Sequence, residues 1–141
     1  MDRTAQASWA GDLKAGKGNV KLGSRSYEGP YSFASRFESG GGTNPEELLG
    51  AAHAGCFSMA LAAALSAKGH VPTSITTTAT VHLNKVGAGF AITGIDLVTR
   101  GVVPGVAEAE FKQMAEETKT GCIVSKALSA VPMTLDAALG K

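Results

Sequence analysis

Residues 45–68 form one long run of small and apolar side chains, and this run limits the folds open to the chain. Asn44 and Pro45 at its start, and Gly69 just beyond its end, are typical of the two ends of a helix. At ~1.5 Å per residue such a helix is about 36 Å long. After Glu47 it has no polar face, so it has to be covered on all sides. One domain of 141 residues can hardly enclose it alone, and we expect a second copy of the chain to cover part of it.

Short alternating stretches predict strands on both sides of this helix. The strands predicted before it are residues 4–10, 18–22 and 31–37. After it, residues 73–85 and 90–103 predict a hairpin, with a bulge at Gly94 where the apolar positions change parity. A helix at 106–119, a short helix at 121–128 and a last strand at 131–135 complete the prediction. Because strands and helices are segregated rather than alternating, we predict an α+β fold.

Length and charge narrow the class of protein. The 141 residues suit a single domain over residues 1–141. Thirteen basic residues nearly balance twelve acidic ones, which argues against nucleic acid or an anionic membrane as the main partner. The N-terminal segment has no apolar core of the signal-peptide type, and polar residues interrupt the apolar run. We therefore expect a soluble, cytoplasmic protein with thiols rather than structural disulfides.

Cys56 lies in the middle of the long helix, and its thiol has two interpretations. As an isolated helical cysteine it is a small buried apolar side chain. As a nucleophile it needs a nearby cation, because burial raises a thiol pKa and the helix N-terminus is too distant to lower it. His53, three residues earlier on the same helix face, and Arg36, before the Gly-rich residues 39–42, are the two candidates. Arg36 is the better candidate because a guanidinium stays charged when desolvated.

Glu47 is predicted to orient Arg36, since a carboxylate and a guanidinium pair in a fork geometry. Its alternative role is that of a favourable acid in the first helical turn. Nine residues separate Glu47 from Cys56, so on one straight helix they lie on opposite faces, about 13 Å apart along the axis. They can share one pocket only if a long arginine bridges round the helix, if the helix bends near Gly50, or if they come from different subunits, and we favour the last arrangement.

Cys122 is the second cysteine, 66 residues beyond Cys56. It is predicted in the first turn of a short helix, where backbone N–H groups favour a thiolate. It is either a resolving partner for Cys56 or another buried cysteine. A zinc site made of these two cysteines, His53 and either His70 or His82 has weak support, because the only tight spacing, His-x-x-Cys, lacks a second matched pair. No phosphate loop or nucleophile elbow is present, and we expect no metal.

The run GTNPEELLGAAHAGCFSMAL around Cys56 closely resembles the OsmC branch of the OsmC/Ohr family of thiol-dependent peroxidases. SRFE before it and GCIVSKAL after it share this likeness, which covers the whole chain. The resemblance implies an α+β, OsmC-like fold in which two chains intertwine as a homodimer. It also implies a peroxidatic Cys56, a resolving Cys122, and an Arg36–Glu47 pair beside the reactive sulfur, with the active sites at the subunit interface.

From these features we expect an enzyme that reduces organic hydroperoxides to alcohols, and hydrogen peroxide less efficiently, in defence against oxidative stress. An external dithiol would restore Cys56 and Cys122, and the family likeness suggests a reductant of the lipoyl type. Neither metal, flavin nor haem is needed. The alternative is a non-catalytic dimer that binds an apolar ligand or senses redox state through its two cysteines. A hydrolase is disfavoured because no Ser/His/Asp grouping is evident.

Overall fold

The computed structural model describes residues 1–140. Its elements in chain order are β1 (Ala5–Ala10), β2 (Lys17–Leu22), β3 (Glu28–Tyr31), α1 (Phe33–Phe37), α2 (Pro45–Ala67), β4 (Ser74–Val86), β5 (Gly89–Val102), α3 (Glu108–Gly121), α4 (Ile123–Ala127) and β6 (Met133–Leu139). Contacts within the chain define two compact units, Met1–Leu48 and the residues from Leu49 onward. A single domain over residues 1–141 remains a prediction.

The first unit contains an antiparallel sheet in the order β1–β2–β3. Asp12 shapes the connection between β1 and β2, because its carboxylate accepts hydrogen bonds from the backbone N–H groups of Lys14 and Ala15 at 2.8 and 2.9 Å. These hydrogen bonds also lower the pKa of Asp12, since they favour its charged form. The first two predicted strands are confirmed, and β3 ends at Tyr31, where the third was expected to begin.

A short helix, α1, replaces the strand predicted at residues 31–37. Ser32 caps this helix: its hydroxyl accepts a hydrogen bond from the N–H of Ser35, and the Ser35 hydroxyl accepts one from the N–H of Ser32. Ser35 also donates to the carbonyl of Thr43 at 2.7 Å, which closes the Gly-rich loop between α1 and α2. The prediction was wrong because the alternation of aromatic side chains resembles a strand, whereas this reciprocal cap fixes a helix.

The long helix, α2, begins and ends within one residue of its predicted limits. The Asn44 side chain accepts a hydrogen bond from the N–H of Glu47 at 2.8 Å, so Asn44 is the cap that the sequence indicated. The helix ends at Ala67, and Gly69 follows in the left-handed region at φ 87°. Only a glycine adopts this conformation without strain, which explains the stop.

Within one chain α2 is covered along one face only. Its buried face is formed by Gly50, His53, Phe57, Leu61 and Leu65. The opposite face is exposed and also apolar, and it includes Ala51, Gly55, Met59 and Ala63, which we call the exposed stripe. The length and composition of α2 would allow it to cross a membrane, as is also true of many core helices of soluble proteins. In its most apolar stretch of 18 residues, 28% of the residues are buried. Most of this apolar helix therefore lacks a cover within its own chain.

The second unit contains a sheet in the order β4–β5–β6. β4 and β5 form a long antiparallel hairpin in which His82 pairs with Gly94 and Leu83 pairs with Ile92. One extra residue on β5 is thus accommodated beside Gly94, and the predicted bulge is confirmed. β6 lies parallel to β5, so the chain crosses over through α3 and α4 before it joins the sheet.

The core of this unit lies between the sheet and its helices. α2 contributes Phe57, Leu61 and Leu65, β5 contributes Ile95 and Leu97, and α3 contributes Phe111 and Met114. Cys122 is part of the same core, at 2% exposure. The crossover from β5 to β6 therefore places this second cysteine against α2.

Candidate active site

The two cysteines, 66 residues apart in sequence, meet in the second unit. Cys56 lies on α2, and Cys122 is the residue between the end of α3 and the start of α4. Their Sγ atoms are 3.0 Å apart, both thiols are free, and the Cys122 thiol is placed to donate to the Cys56 sulfur. The structure thus brings together the two residues that the sequence suggested as a redox pair.

The location of Cys122 differs slightly from the prediction. Cys122 precedes α4 as its N-cap residue instead of lying in its first turn, and its side chain makes no cap hydrogen bond. The first helical turn was predicted one or two residues too early, because α3 continues to Gly121. Nevertheless, the backbone N–H groups of Ser125 and Val124 act to lower the pKa of Cys122.

Electrostatics distinguish the two thiols. Burial raises the pKa of Cys56, and the hydrogen bond with Cys122 raises it further, while the N–H groups of Val124 and Ile123 act in the opposite direction. Burial also acts to raise the pKa of Cys122, but hydrogen bonds from Cys56 and from Ser125 outweigh it, and the net shift is downward. Once Cys122 loses its proton, the Cys56 thiol becomes the donor between the sulfurs. Within this unit Cys122 is therefore the first to ionise, and Cys56 needs help from elsewhere.

His53 was the nearer of the two cations considered for Cys56, and the structure gives it a different contact. Its ring is fully buried, and its Nε2 lies 2.8 Å from the hydroxyl of Ser125. Desolvation lowers the pKa of His53, so the ring is neutral at physiological pH. A neutral ring cannot act as the cation that ionises Cys56.

Arg36, the other candidate cation, lies on α1 in the first unit. Its Nε is 3.2 Å from both carboxylate oxygens of Glu46, and its Nη2 is 2.8 Å from Oε1. Glu46 is 7% exposed, whereas Glu47 is exposed and accepts a hydrogen bond from the Thr43 hydroxyl at 2.9 Å. The predicted pairing of Arg36 with Glu47 is thus corrected within the chain: the carboxylate that holds Arg36 is that of Glu46.

Helix periodicity contains the signal that distinguishes the two acids. Glu46 lies four residues before Gly50 and seven before His53, so it continues the buried face of α2. Glu47 lies four residues before Ala51 and continues the exposed stripe. The buried acid is the one that needs a charged partner, since an unpaired buried carboxylate is costly.

An aromatic cavity of about 250 Å³ lies beside Arg36 in the first unit. The guanidinium carbon of Arg36 is 5.2 Å from the centre of the Phe37 ring, within the range of a cation–π contact. The other side chains around the cavity are Trp9, Leu13, Tyr31, Ser32 and Phe33. The cavity beside Arg36 is therefore lined mostly by aromatic and apolar side chains.

Comparison with known proteins identifies the family. The family model described as OsmC-like protein matches residues 38–136. This chain belongs to the OsmC-like protein family. It is 51% identical over 137 residues to the peroxiredoxin OsmC of Escherichia coli K12, which covers 96% of this chain and 95% of that protein. It is 34% identical over 89 residues to an organic hydroperoxide resistance protein of Xanthomonas axonopodis, covering 62% of this chain and 61% of that one.

Solved structures support the same fold. The organic hydroperoxide resistance protein of Elizabethkingia anophelis has a TM-score of 0.74 at 24% identity, covering 97% of this chain and 96% of the other. The predicted OsmC-like, α+β fold is therefore confirmed. The residue near the thiols of this OsmC-like chain that sequence reasoning missed is Ser125, which contacts His53. Its position three residues after Cys122, in one helical turn, was the available signal.

The zinc site considered from the sequence has no support in the geometry. Among residues 1–140, no group of three or more His, Cys, Asp or Glu side chains is arranged to hold a metal ion. His82, one of the possible fourth ligands, instead contacts Asp96 at 2.7 Å across the β4–β5 hairpin. The potential ligands His53 and His82 thus have other partners.

Proposed function

We propose that this OsmC-like protein is a thiol-dependent peroxidase that reduces organic hydroperoxides to alcohols, and hydrogen peroxide less efficiently, in defence against oxidative stress. The observation that carries the proposal is the 3.0 Å contact between Cys56 and Cys122. Two free thiols at this separation can form a disulfide after a small movement. The relatives named peroxiredoxin OsmC and organic hydroperoxide resistance protein support the same activity.

The reaction uses the two sulfurs in turn. The Cys56 thiolate attacks one peroxide oxygen, so that a sulfur–oxygen bond forms, the oxygen–oxygen bond breaks and the leaving alkoxide takes a proton to become the alcohol. The Cys122 thiolate then attacks the Cys56 sulfenic acid, forming a disulfide and releasing hydroxide. An external dithiol, of the lipoyl type, returns both residues to thiols. No metal, flavin or haem takes part in these steps.

The first step requires a cation beside Cys56. Within its own unit the pKa of Cys56 is raised by burial and by Cys122, so a thiolate at neutral pH needs an additional positive charge. Arg36 supplies it: Glu46 fixes the direction of the guanidinium, which also stabilises the alkoxide as it leaves. Arg36 and Glu46 are delivered by a second copy of the chain.

A homodimer is supported by the surface of α2. The exposed stripe contains Met59, which is 76% exposed and lies three residues after Cys56. A second chain that covers this apolar stripe would exclude water from the thiols and place the active sites at the subunit interface. With its apolar helix covered in this way, the dimer is soluble and cytoplasmic, and it needs neither membrane nor nucleic acid as a partner.

Turnover of peroxide tests the proposal. The parent protein and Cys56→Ser are mixed with tert-butyl hydroperoxide, with either dihydrolipoamide or reduced thioredoxin as the reductant, and peroxide consumption is measured. We expect the parent to consume peroxide over many cycles and Cys56→Ser to consume none. If Cys56→Ser is as active as the parent, Cys56 is not the reacting residue and the mechanism is wrong.

A further inference from the structure

The ring of His53 is fully buried in the second unit, and its hydrogen bond is made to a residue close to Cys122 in sequence. Its Nε2 is 2.8 Å from the Ser125 hydroxyl, and its Nδ1 is the one buried side-chain nitrogen or oxygen within residues 1–140 that has no hydrogen-bond partner. A buried, half-satisfied imidazole destabilises the fold relative to an apolar side chain. Packing alone therefore gives no reason for a histidine at this position.

Ser125 connects this ring to the resolving cysteine. It is 4% exposed and lies in the first turn of α4, three residues after Cys122. It is thus the third residue of the helix that Cys122 precedes, and its hydroxyl is among the groups that act to lower the pKa of Cys122. Cys122 in turn lies 3.0 Å from Cys56. Two buried contacts, His53 with Ser125 and Cys122 with Cys56, are thus separated only by the single helical turn between Cys122 and Ser125.

The Ser125 hydroxyl has a single proton, which it can donate to only one partner. If that proton points to the Cys122 sulfur, it is not available to His53, and the His53 Nε2 must carry a hydrogen and donate it to Ser125. A neutral imidazole has only one N–H, so Nδ1 is then bare. In the opposite tautomer Ser125 would donate to His53, and Cys122 would lose its donor.

We propose that His53 is a positioning residue for the resolving step: it donates from Nε2 to the Ser125 hydroxyl and so directs the serine proton to the sulfur of Cys122. Cys122 must be a thiolate when it attacks the sulfenic acid of Cys56. In that step the sulfur–sulfur bond forms, the sulfur–oxygen bond breaks, and hydroxide leaves and takes a proton from solvent. The same hydrogen bond stabilises Cys122 when it becomes the leaving thiolate during reduction of the disulfide.

The proposal rests on the peroxidase function for its role in turnover, but its first test does not. In a Cys56→Ser background Cys122 is the sole thiol, and its rate of alkylation by iodoacetamide is measured against pH. We expect Ser125→Ala to raise the midpoint by about one pH unit, which is about tenfold less thiolate at neutral pH. His53→Leu should raise the midpoint in the same direction, and His53→Gln, whose amide can still donate, should restore most of the shift.

Two comparisons separate positioning from general damage. Because His53 acts through Ser125, the double variant should shift the midpoint no further than Ser125→Ala alone. The exposed Ser129 provides the matched control, and Ser129→Ala should leave the midpoint unchanged. An unshifted midpoint in His53→Leu, or a double variant that shows the sum of the two single shifts, would overturn the proposal.

The tautomer can be read in the parent protein, which keeps the proposal testable even if His53→Leu does not fold. Nitrogen chemical shifts of the His53 ring should show a protonated Nε2 and a bare Nδ1, and the opposite tautomer would overturn the proposal. In turnover, His53→Leu and Ser125→Ala should slow disulfide formation about tenfold after one equivalent of peroxide, with the oxidation of Cys56 unchanged. A parent protein that consumes no peroxide would refute the proposed function, while the alkylation midpoints would still decide this inference.

Discussion

The guanidinium of Arg36 is held by Glu46 through hydrogen bonds of 2.8 to 3.2 Å, and the neighbouring Glu47 takes no part in them. One helical position separates a buried carboxylate from an exposed one. Since the Arg36 side chain is 39% exposed, this contact matters more for the direction of the guanidinium than for the stability of the fold. The two acids therefore form a matched pair for mutagenesis.

Glu46→Gln should slow the oxidation of Cys56 by tert-butyl hydroperoxide about tenfold or more, because the neutral amide no longer fixes the guanidinium. Arg36→Ala should slow it further. Glu47→Gln should change it by less than about twofold, since Glu47 contacts Thr43 instead. Loss of free thiol after rapid mixing measures each rate, and equal slowing in the two glutamine variants would remove Glu46 from its role.

Cys122→Ser should consume about one peroxide per chain and then stop, because the sulfenic acid of Cys56 has no resolving thiol. With excess peroxide, Cys56 should gain further oxygen atoms, which intact mass spectrometry detects. Cys56→Ser, treated in the same way, should gain none. Sustained turnover by Cys122→Ser with dihydrolipoamide would show that the reductant reacts with Cys56 directly and that Cys122 is dispensable.

Met59→Glu should dissociate the dimer, because a carboxylate on the exposed stripe would be buried without a partner at the interface. We expect the dissociation constant to rise about a hundredfold or more, with a parallel loss of peroxidase activity as Arg36 of the second chain is lost. Val71→Glu is the control: Val71 is 71% exposed but lies beyond α2. Sedimentation equilibrium measures both variants, and an intact Met59→Glu dimer would place the interface elsewhere.

The stability of the fold should fall in mild acid because of His53. Its pKa is lowered by burial from the ordinary value of 6.5, so below that pH the unfolded chain binds a proton that the folded chain excludes. The free energy of unfolding therefore has its full value above pH 6.5 and decreases as the pH falls toward the pKa of His53 in the folded protein. Urea denaturation of His53→Leu should show a weaker dependence over this range. Identical pH slopes in the variant and the parent would mean that His53 is not the responsible group.

Local signals in the sequence were enough to predict α2 and the bulge on β5. Asn44, Pro45 and Gly69 act on their own helix ends, and Gly94 acts on its own strand, so no distant contact is needed to interpret them. The helix α1 was missed because its cap is the unusual pair of Ser32 and Ser35 rather than a serine and an acid.

Tertiary contacts explain the parts of the site that the sequence left open. The choice between Glu46 and Glu47 depends on which of the two lies beside Arg36, and that is decided by how α1 folds back toward the start of α2. The contact of Cys56 with Cys122 depends on the crossover through α3 and α4, which joins β5 to the parallel strand β6. Neither composition nor local spacing predicts that contact. His53 and Ser125 are 72 residues apart in sequence. The three-residue spacing on α2 therefore suggested Cys56 as the partner of His53, whereas the structure gives it Ser125.

The 3.0 Å separation of the two sulfurs also limits how far the structure has to change when they are oxidised to a disulfide. A covalent bond between them requires an approach of only about 1 Å. Cys56 lies within α2 and Cys122 joins α3 to α4, and both residues belong to one unit. The oxidised and reduced molecules should therefore present nearly the same surface to any binding partner. A cysteine pair of this kind is suited to repeated catalytic cycles and poorly suited to signalling its redox state through a conformational change.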